Sequence, residues 1–194
     1  MSDRTDRIDC PTFELLAVAY HEAGHAVGAV LVSPGLVVET ATIVRDGDYL
    51  GQVTCEDWHE NLVPDEDYED SGEIGEHERQ YLGADDIVSS LGAVAEGMLR
   101  HGRPDEPVMA GTGFDRDNVW ANAAAILEDD VFRKAGFYHG PLGLDIDAAL
   151  ALAQCHSHFW RAVGLVAGAL MREKTLDGSE VEALVRAARE NDST

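Results

Sequence analysis

His21 and His25 stand four residues apart with Glu22 beside the first, inside the stretch AYHEAGHAVGAVL (19–31). Residues at i and i+4 share one face of a helix, so both imidazoles can present ring nitrogens to one Zn²⁺ at about 2.0–2.1 Å. Glu22 lies one step round the helix, where its carboxylate reaches a water bound to that metal more readily than the metal itself. Such a set can hydrolyse a carbonyl compound. Zinc lowers the pKa of the water, Glu22 takes the proton as general base, and hydroxide attacks a carbonyl polarised by the metal. HExxH on a helix is a signature of this chemistry. The competing reading is a core helix with two incidental histidines, but two His and a Glu are costly to bury without partners, and a metal would satisfy all three.

A catalytic zinc takes three protein ligands and keeps one position open. The longer pattern HExxHxxGxxH is matched through Gly28 but has Leu31 in its last place, so it does not supply the third. Glu39 qualifies only if strand alternation turns it towards the helix; otherwise the ligand is a carboxylate further along the chain. Gly24 and Gly28 each cost about 1 kcal/mol relative to Ala in a helix interior, which predicts another element packed close against the histidine helix.

The elements that must hold these residues are legible in outline. Apolar residues recurring at three and four from Thr12 to Val32 predict the first helix, stopped by Ser33-Pro34-Gly35. β-Branched residues on both sides of Asp46-Gly47-Asp48 predict a hairpin directly after it. Residues 56–78 are crowded with Asp and Glu and lack Lys and Arg, which predicts an exposed loop. Ile87, Leu91, Val94, Ala95, Met98 and Leu99 predict a second amphipathic helix ending near His101-Gly102-Arg103-Pro104. Asp115 is placed to cap a helix through 118–127, with Asp117 in its first turn. Asp145 can cap a long apolar helix to about Arg172, within which His156 and His158 would point to different faces as packing or surface residues. Trp58, Trp120 and Trp160 read as core. Asp177 with Glu180 three further on makes a capping-box start for a short last helix. The fold class is mainly α with a small antiparallel hairpin or sheet (α+β). It is expected as a single domain over 1–194, with a metal-site part at 12–142 and a C-terminal helical part at 145–190.

Lys and Arg number 14 against 37 Asp and Glu, a net charge of −23, which repels nucleic-acid phosphates and anionic lipid surfaces. Neither nucleic acid nor membrane is an expected partner. The apolar run at 162–171 is far short of the roughly 18 residues that suggest a membrane span, and the charged N-terminus has no signal-peptide core. Cys10, Cys55 and Cys155 are odd in number and widely spaced, which fits a reducing compartment. These features predict a soluble, cytoplasmic protein.

Five stretches in order, AYHEAGHAVGAVL, ATIVRDGDYLGQVT (41–54), LGAVAEGML (91–99), GTGFDRDNVWANAA (111–124) and LMREKTLDGSEVEALV (170–185), resemble the peptidase domain of the FtsH-type AAA zinc metalloproteases. The resemblance runs from about residue 12 to 188. It implies a zincin-like FtsH-type fold, one Zn²⁺ per chain and polypeptide substrates. The family's third ligand is the Asp of a TGxSND-like segment, matched here at Thr112, Gly113 and Asp117. That implies Asp117, with Asp115 in the same turn as the competing choice and the better N-cap. The family's GGRAAEE segment corresponds to LGAVAEG (91–97), which puts Glu96 near the metal, orienting a ligand histidine or the water. Val94 and Gly97 depart from the family at its Arg and second Glu. Leu50, Gly51, Gln52, Val53 and Thr54 correspond to the sheet edge where an extended substrate adds as a strand. Rings are the family's assembly, so a homo-oligomer is expected.

No GxxxxGK[ST] motif accompanies these segments, so the resemblance implies a peptidase that lacks its own ATPase. It would cut flexible or unfolded polypeptides, or be fed by a separate unfoldase. The alternative is a non-catalytic peptide-binding or scaffold oligomer on the same fold. Glu22 favours catalysis, because a scaffold has no use for the base.

Overall fold

Helix α1 (Pro11–Leu31) opens on a proline, whose fixed φ and missing N–H suit a first helical position. Between Glu22 and Ala29 every residue is buried, the situation of a helix at the centre of a fold. The computed structural model describes residues 11–32, 36–47, 49–56, 76–105, 107–108 and 146–190. The HExxH helix is therefore described in full. Asp115, Asp117, their expected helix, Asp145, and the acidic stretch from 57 to 75 lie outside the described residues.

Small side chains let other elements come near α1. Ala17, Ala19, Ala23, Ala26 and Ala29 are fully buried, and α2 (Glu76–His101) packs along the helix. The glycines have the expected packing reason. A β-carbon at Gly24 would lie 2.7 Å from Ala95 Cβ and nearer still to the Leu91 carbonyl oxygen, whereas at Gly28 it would meet the end of the Leu91 side chain. Gly24→Ala is thus expected to lose about 1–3 kcal/mol to overpacking, more than the roughly 1 kcal/mol gained in helix propensity. Gly28→Ala should cost less, because a leucine methyl can move and a backbone carbonyl cannot. Urea unfolding of both variants checks this, and a Gly24→Ala as stable as the wild type would show that the helices are not held this close.

Strands β1 (Val38–Thr42) and β2 (Gln52–Cys55) form the expected hairpin. Its turn closes by paired backbone hydrogen bonds between Asp46 and Tyr49, with Gly47 at φ +57°. A third strand, β3 (Thr175–Asp177), pairs antiparallel with the other side of β1, giving the order β2-β1-β3. Sequence periodicity did not show β3, since it is three residues long and its partner lies some 130 positions away. Thr40 and Thr54 share a hydroxyl hydrogen bond of 2.8 Å, and Thr42 and Thr175 share another of 2.8 Å. The register shifts between Val38 and Thr40, leaving Glu39 as the extra, exposed residue.

The last three residues of the expected acidic loop, 76–78, are helical. The helix-forming run Glu76-His77-Glu78-Arg79-Gln80 extends α2 beyond its apolar-periodic part. Its other end falls where expected, at His101, with Gly102 at φ +70° donating its N–H to the Met98 carbonyl.

The long helix expected up to Arg172 is instead two, α3 (Ile146–Cys155) and α4 (Phe159–Glu173). His156-Ser157-His158 turns the chain between them, with Phe159 N–H bonding the His156 carbonyl. The break lets α3 pack on α2 while α4 packs on α1, which a straight helix could not do. His158 is buried and His156 half-buried at this corner, and Trp160 stacks edge-on against Phe159, a core contact as expected. Lys174 at φ +71° ends α4 and turns the chain into β3, its carbonyl accepting from Ile43 N–H.

The capping box of the last helix, α5 (Gly178–Glu190), is reciprocal. Asp177 Oδ1 accepts from Glu180 N–H and Glu180 Oε2 accepts from Asp177 N–H, both at 2.9 Å. The Ser179 hydroxyl and the Glu180 N–H hold the Asp177 carboxyl below its ordinary value. The architecture is mainly helical with one small antiparallel sheet, the α+β class expected. Among the described residues no helix is long and apolar enough to cross a membrane.

Candidate metal centre

His21, Glu22 and His25 sit in the buried middle of α1, with Glu22 and His25 only 6 % and 7 % exposed. The two imidazole rings meet edge to face, centroids 4.7 Å apart. His25 Nδ1 lies 2.7 Å from the Val88 carbonyl oxygen on α2. A carbonyl only accepts, so Nδ1 carries the proton and Nε2 keeps its lone pair. His21 Nδ1 lies 3.3 Å from Glu96 Oε2, also on α2. That separation exceeds the roughly 2.7–2.9 Å of a well-formed charged hydrogen bond, yet a carboxylate so close still favours the proton on Nδ1. His25 is thus hydrogen-bonded to α2 through Nδ1, and His21 Nδ1 lies beside a carboxylate of α2.

Both Nε2 nitrogens converge on Gly92. A β-carbon there would lie 2.8 Å from His21 Nε2 and closer to His25 Nε2. Two imidazole nitrogens brought together beside a residue without a side chain fit a borderline-soft cation such as zinc, and a partner on the far nitrogen is the usual support of a ligand histidine. Glu96 lies on α2 beside His21.

Glu96 is itself held. Arg100, one turn along α2, bonds it through Nε at 2.5 Å and reaches across to Glu14 on α1 with Nη1 at 3.1 Å and Nη2 at 2.6 Å. The Glu14 hydrogen bond is the largest cause raising the guanidinium pKa above its ordinary value, and burial works against it.

Glu22 faces the sheet. A β-carbon at Gly51 would lie 2.6 Å from Glu22 Oε1 and 2.8 Å from the Thr42 carbonyl oxygen, so the backbone entering β2 passes directly over the carboxylate. Gln52, Val53 and Thr54 belong to β2, while Leu50 and Gly51 lead into it, Leu50 being 54 % exposed. Among the described residues β2 is a sheet edge, with β1 as its only strand partner.

The third ligand is not brought to the pair by any described residue. Among the described residues no three His, Cys, Asp or Glu side chains are grouped to hold a metal. Glu39 is exposed in its bulge; the irregular register, not simple alternation, decides its direction. Asp117 and Asp115 lie outside the described residues.

Cys55 offers no thiolate chemistry beside this site. Burial, then Asp85 and Glu39, pushes its thiol up to about 11, whereas reactive cysteines have depressed values. Iodoacetamide at pH 8 is expected to alkylate the exposed Cys155 in the folded protein and to leave Cys55 unmodified until denaturant is added. Peptide mass spectrometry reads both; equal labelling in the folded state would contradict the burial.

Sequence reasoning missed Gly92, Arg100 and the Val88 carbonyl. Gly92 had a signal of the kind that Gly24 gave, a glycine costing helix stability within a helical pattern. The other two had none, since a backbone acceptor leaves no trace in residue type and Arg100 resembles any arginine near a helix end.

No family model matches the chain. It is 25 % identical to the ATP-dependent zinc metalloprotease FtsH of Lactococcus lactis subsp. lactis (strain IL1403) in an alignment covering 89 % of this chain and 26 % of that protein. The chain therefore spans about a quarter of the length of this curated relative. At that identity the similarity points to an FtsH-related region, and it spans nearly the whole sequence, well beyond the HExxH segment.

Proposed function

We propose that this protein is a zinc-dependent metalloendopeptidase that hydrolyses peptide bonds in flexible or unfolded polypeptides. One observation carries the reading: two histidines whose Nδ1 atoms face acceptors on α2 aim both Nε2 atoms at the space beside Gly92, with Glu22 lying between them and the sheet edge. His21, His25 and Asp117 would hold one Zn²⁺. When bound, zinc supplies a Lewis acid that polarises a carbonyl and lowers the pKa of water within its reach. Glu22 takes the proton of the attacking water at its carboxylate and returns it to the leaving amine nitrogen. The substrate, extended along Leu50–Thr54, pairs by backbone with the outer edge of β2, so the peptide passes the base with little demand on its sequence. The FtsH similarity supports zinc and proteolysis as the chemistry; a zincin-like ring fed by a separate unfoldase extends the same reading.

Zinc content measured alongside casein cleavage tests it. Stoichiometric zinc with cleavage that Glu22→Gln abolishes is the expected result. Zinc without cleavage of casein or unfolded peptides favours a peptide-binding scaffold, and no zinc uptake at neutral pH overturns the site.

A further inference from the structure

Glu96 presents a physical problem that the histidines alone do not solve. It is a carboxylate only 7 % exposed, and a neutral His21 at 3.3 Å does not balance its charge. A carboxylate so placed needs a charged partner or it turns towards water. Arg100 is that partner. Its Nε meets Glu96 Oε1 at 2.5 Å, leaving Oε2 as the oxygen that faces His21. The guanidinium is fixed from two further directions, by the two-pronged bond to Glu14 and by the Phe13 ring 5.4 Å from its carbon. Glu14 and His21 are seven apart on α1, and Glu96 and Arg100 four apart on α2. The facing helices therefore build one chain of alternating charge and ring: Glu14, Arg100, Glu96, His21.

Stability explains little of the Glu14 end of this chain. Glu14 is 57 % exposed in the pair, and exposed ion pairs contribute little. A lysine would serve to neutralise Glu96. Only a planar fork can bond one carboxylate through Nε and another through its two terminal nitrogens. We propose that Arg100 is a positioning residue for the metal centre: it locks Glu96 so that its second oxygen holds His21 in the Nδ1-protonated form, with the Nε2 lone pair directed at the metal. The role rests on the metallopeptidase reading above.

The experiment measures zinc affinity by competition with a chromophoric chelator, and the His21 tautomer by ¹⁵N NMR of metal-free protein, for the wild type and three variants. Arg100→Ala is expected to weaken zinc binding about 10- to 100-fold, the range for losing support behind a ligand, and to give His21 a mixed tautomer. Arg100→Lys should recover part of the affinity. Glu14→Gln, which breaks the clip between helices but spares Glu96, should change zinc affinity less than threefold. If Arg100→Ala does not fold, Arg100→Gln, which keeps donors and removes charge, takes its place with the same expected loss. Unchanged affinity and tautomer in the Arg100 variants, or an equal loss in Glu14→Gln, overturns the role. A wild type that binds no zinc overturns the metal reading instead, and the tautomer of the metal-free protein still decides for or against Arg100.

Discussion

Glu22→Gln is expected to lower kcat on an unfolded polypeptide by about 10²–10⁴-fold, the range for losing a positioned general base, while zinc content stays at the wild-type value. The substitution keeps side-chain size, so the packing against Gly51 is preserved and only the basic oxygen is lost. In the proposed site the amide would sit beside the histidine pair without being one of the ligands, which is why metal content and turnover should separate. KM should change little, because in the proposed complex the substrate strand would be held by backbone bonds to β2 and not by this carboxylate. The measurement is steady-state cleavage of a fluorogenic unstructured peptide beside zinc determination on the same preparation. If the variant retains activity within a few-fold, the base is elsewhere. If it loses zinc together with activity, Glu22 acts in holding the metal and its assignment as base fails.

Gly92→Ala carries the second large effect. Its methyl group would fall where His21 Nε2 and His25 Nε2 converge, and a ligand set displaced by even about 1 Å is expected to lose on the order of 100-fold or more in metal affinity or rate. The helix bearing it should suffer much less. Alanine gains about 1 kcal/mol over glycine in propensity, which offsets part of the strain of swinging one ring away from its α2 acceptor. Metal-free Gly92→Ala is therefore expected to melt near the metal-free wild type, yet to lose the zinc-dependent rise in Tm. For the wild type that rise corresponds to about 4 kcal/mol when zinc is a thousand times its Kd. Differential scanning calorimetry with and without zinc reads both. A variant that binds zinc as tightly as the wild type would mean that the nitrogens do not meet the metal in front of Gly92. A variant that fails to fold metal-free would mean that the glycine serves packing alone, as Gly24 does.

The two effects separate what sequence could reveal from what it could not. The pair of histidines and the glutamate were legible because helical geometry is local: a four-residue spacing fixes a shared face whatever surrounds it. The hairpin was legible from Asp46-Gly47-Asp48 for the same reason, and the capping box from Asp177 and Glu180. Even the nearness of another element was written in Gly24 and Gly28, because a helix keeps costly glycines where a side chain has no room. Glu39 shows the limit: its direction was left to strand alternation, and one extra residue in β1 decides it.

Residue types and their spacing alone determined an HExxH helix, a hairpin beside it, a mainly helical class and a strongly acidic surface. Tertiary structure decided the rest. It bent the expected long helix into α3 and α4 so that each could pack on a different partner, and it gave β1 a second neighbour from far along the chain. It also brought the Val88 carbonyl, Gly92, Glu96 and Arg100 on α2 against His21 and His25 on α1. Those residues lie more than sixty positions from the histidines, and no local rule links them. What joins them is the burial of an alanine-lined helix, which brings the two backbones close enough for a carbonyl, a carboxylate and a missing side chain to define one centre.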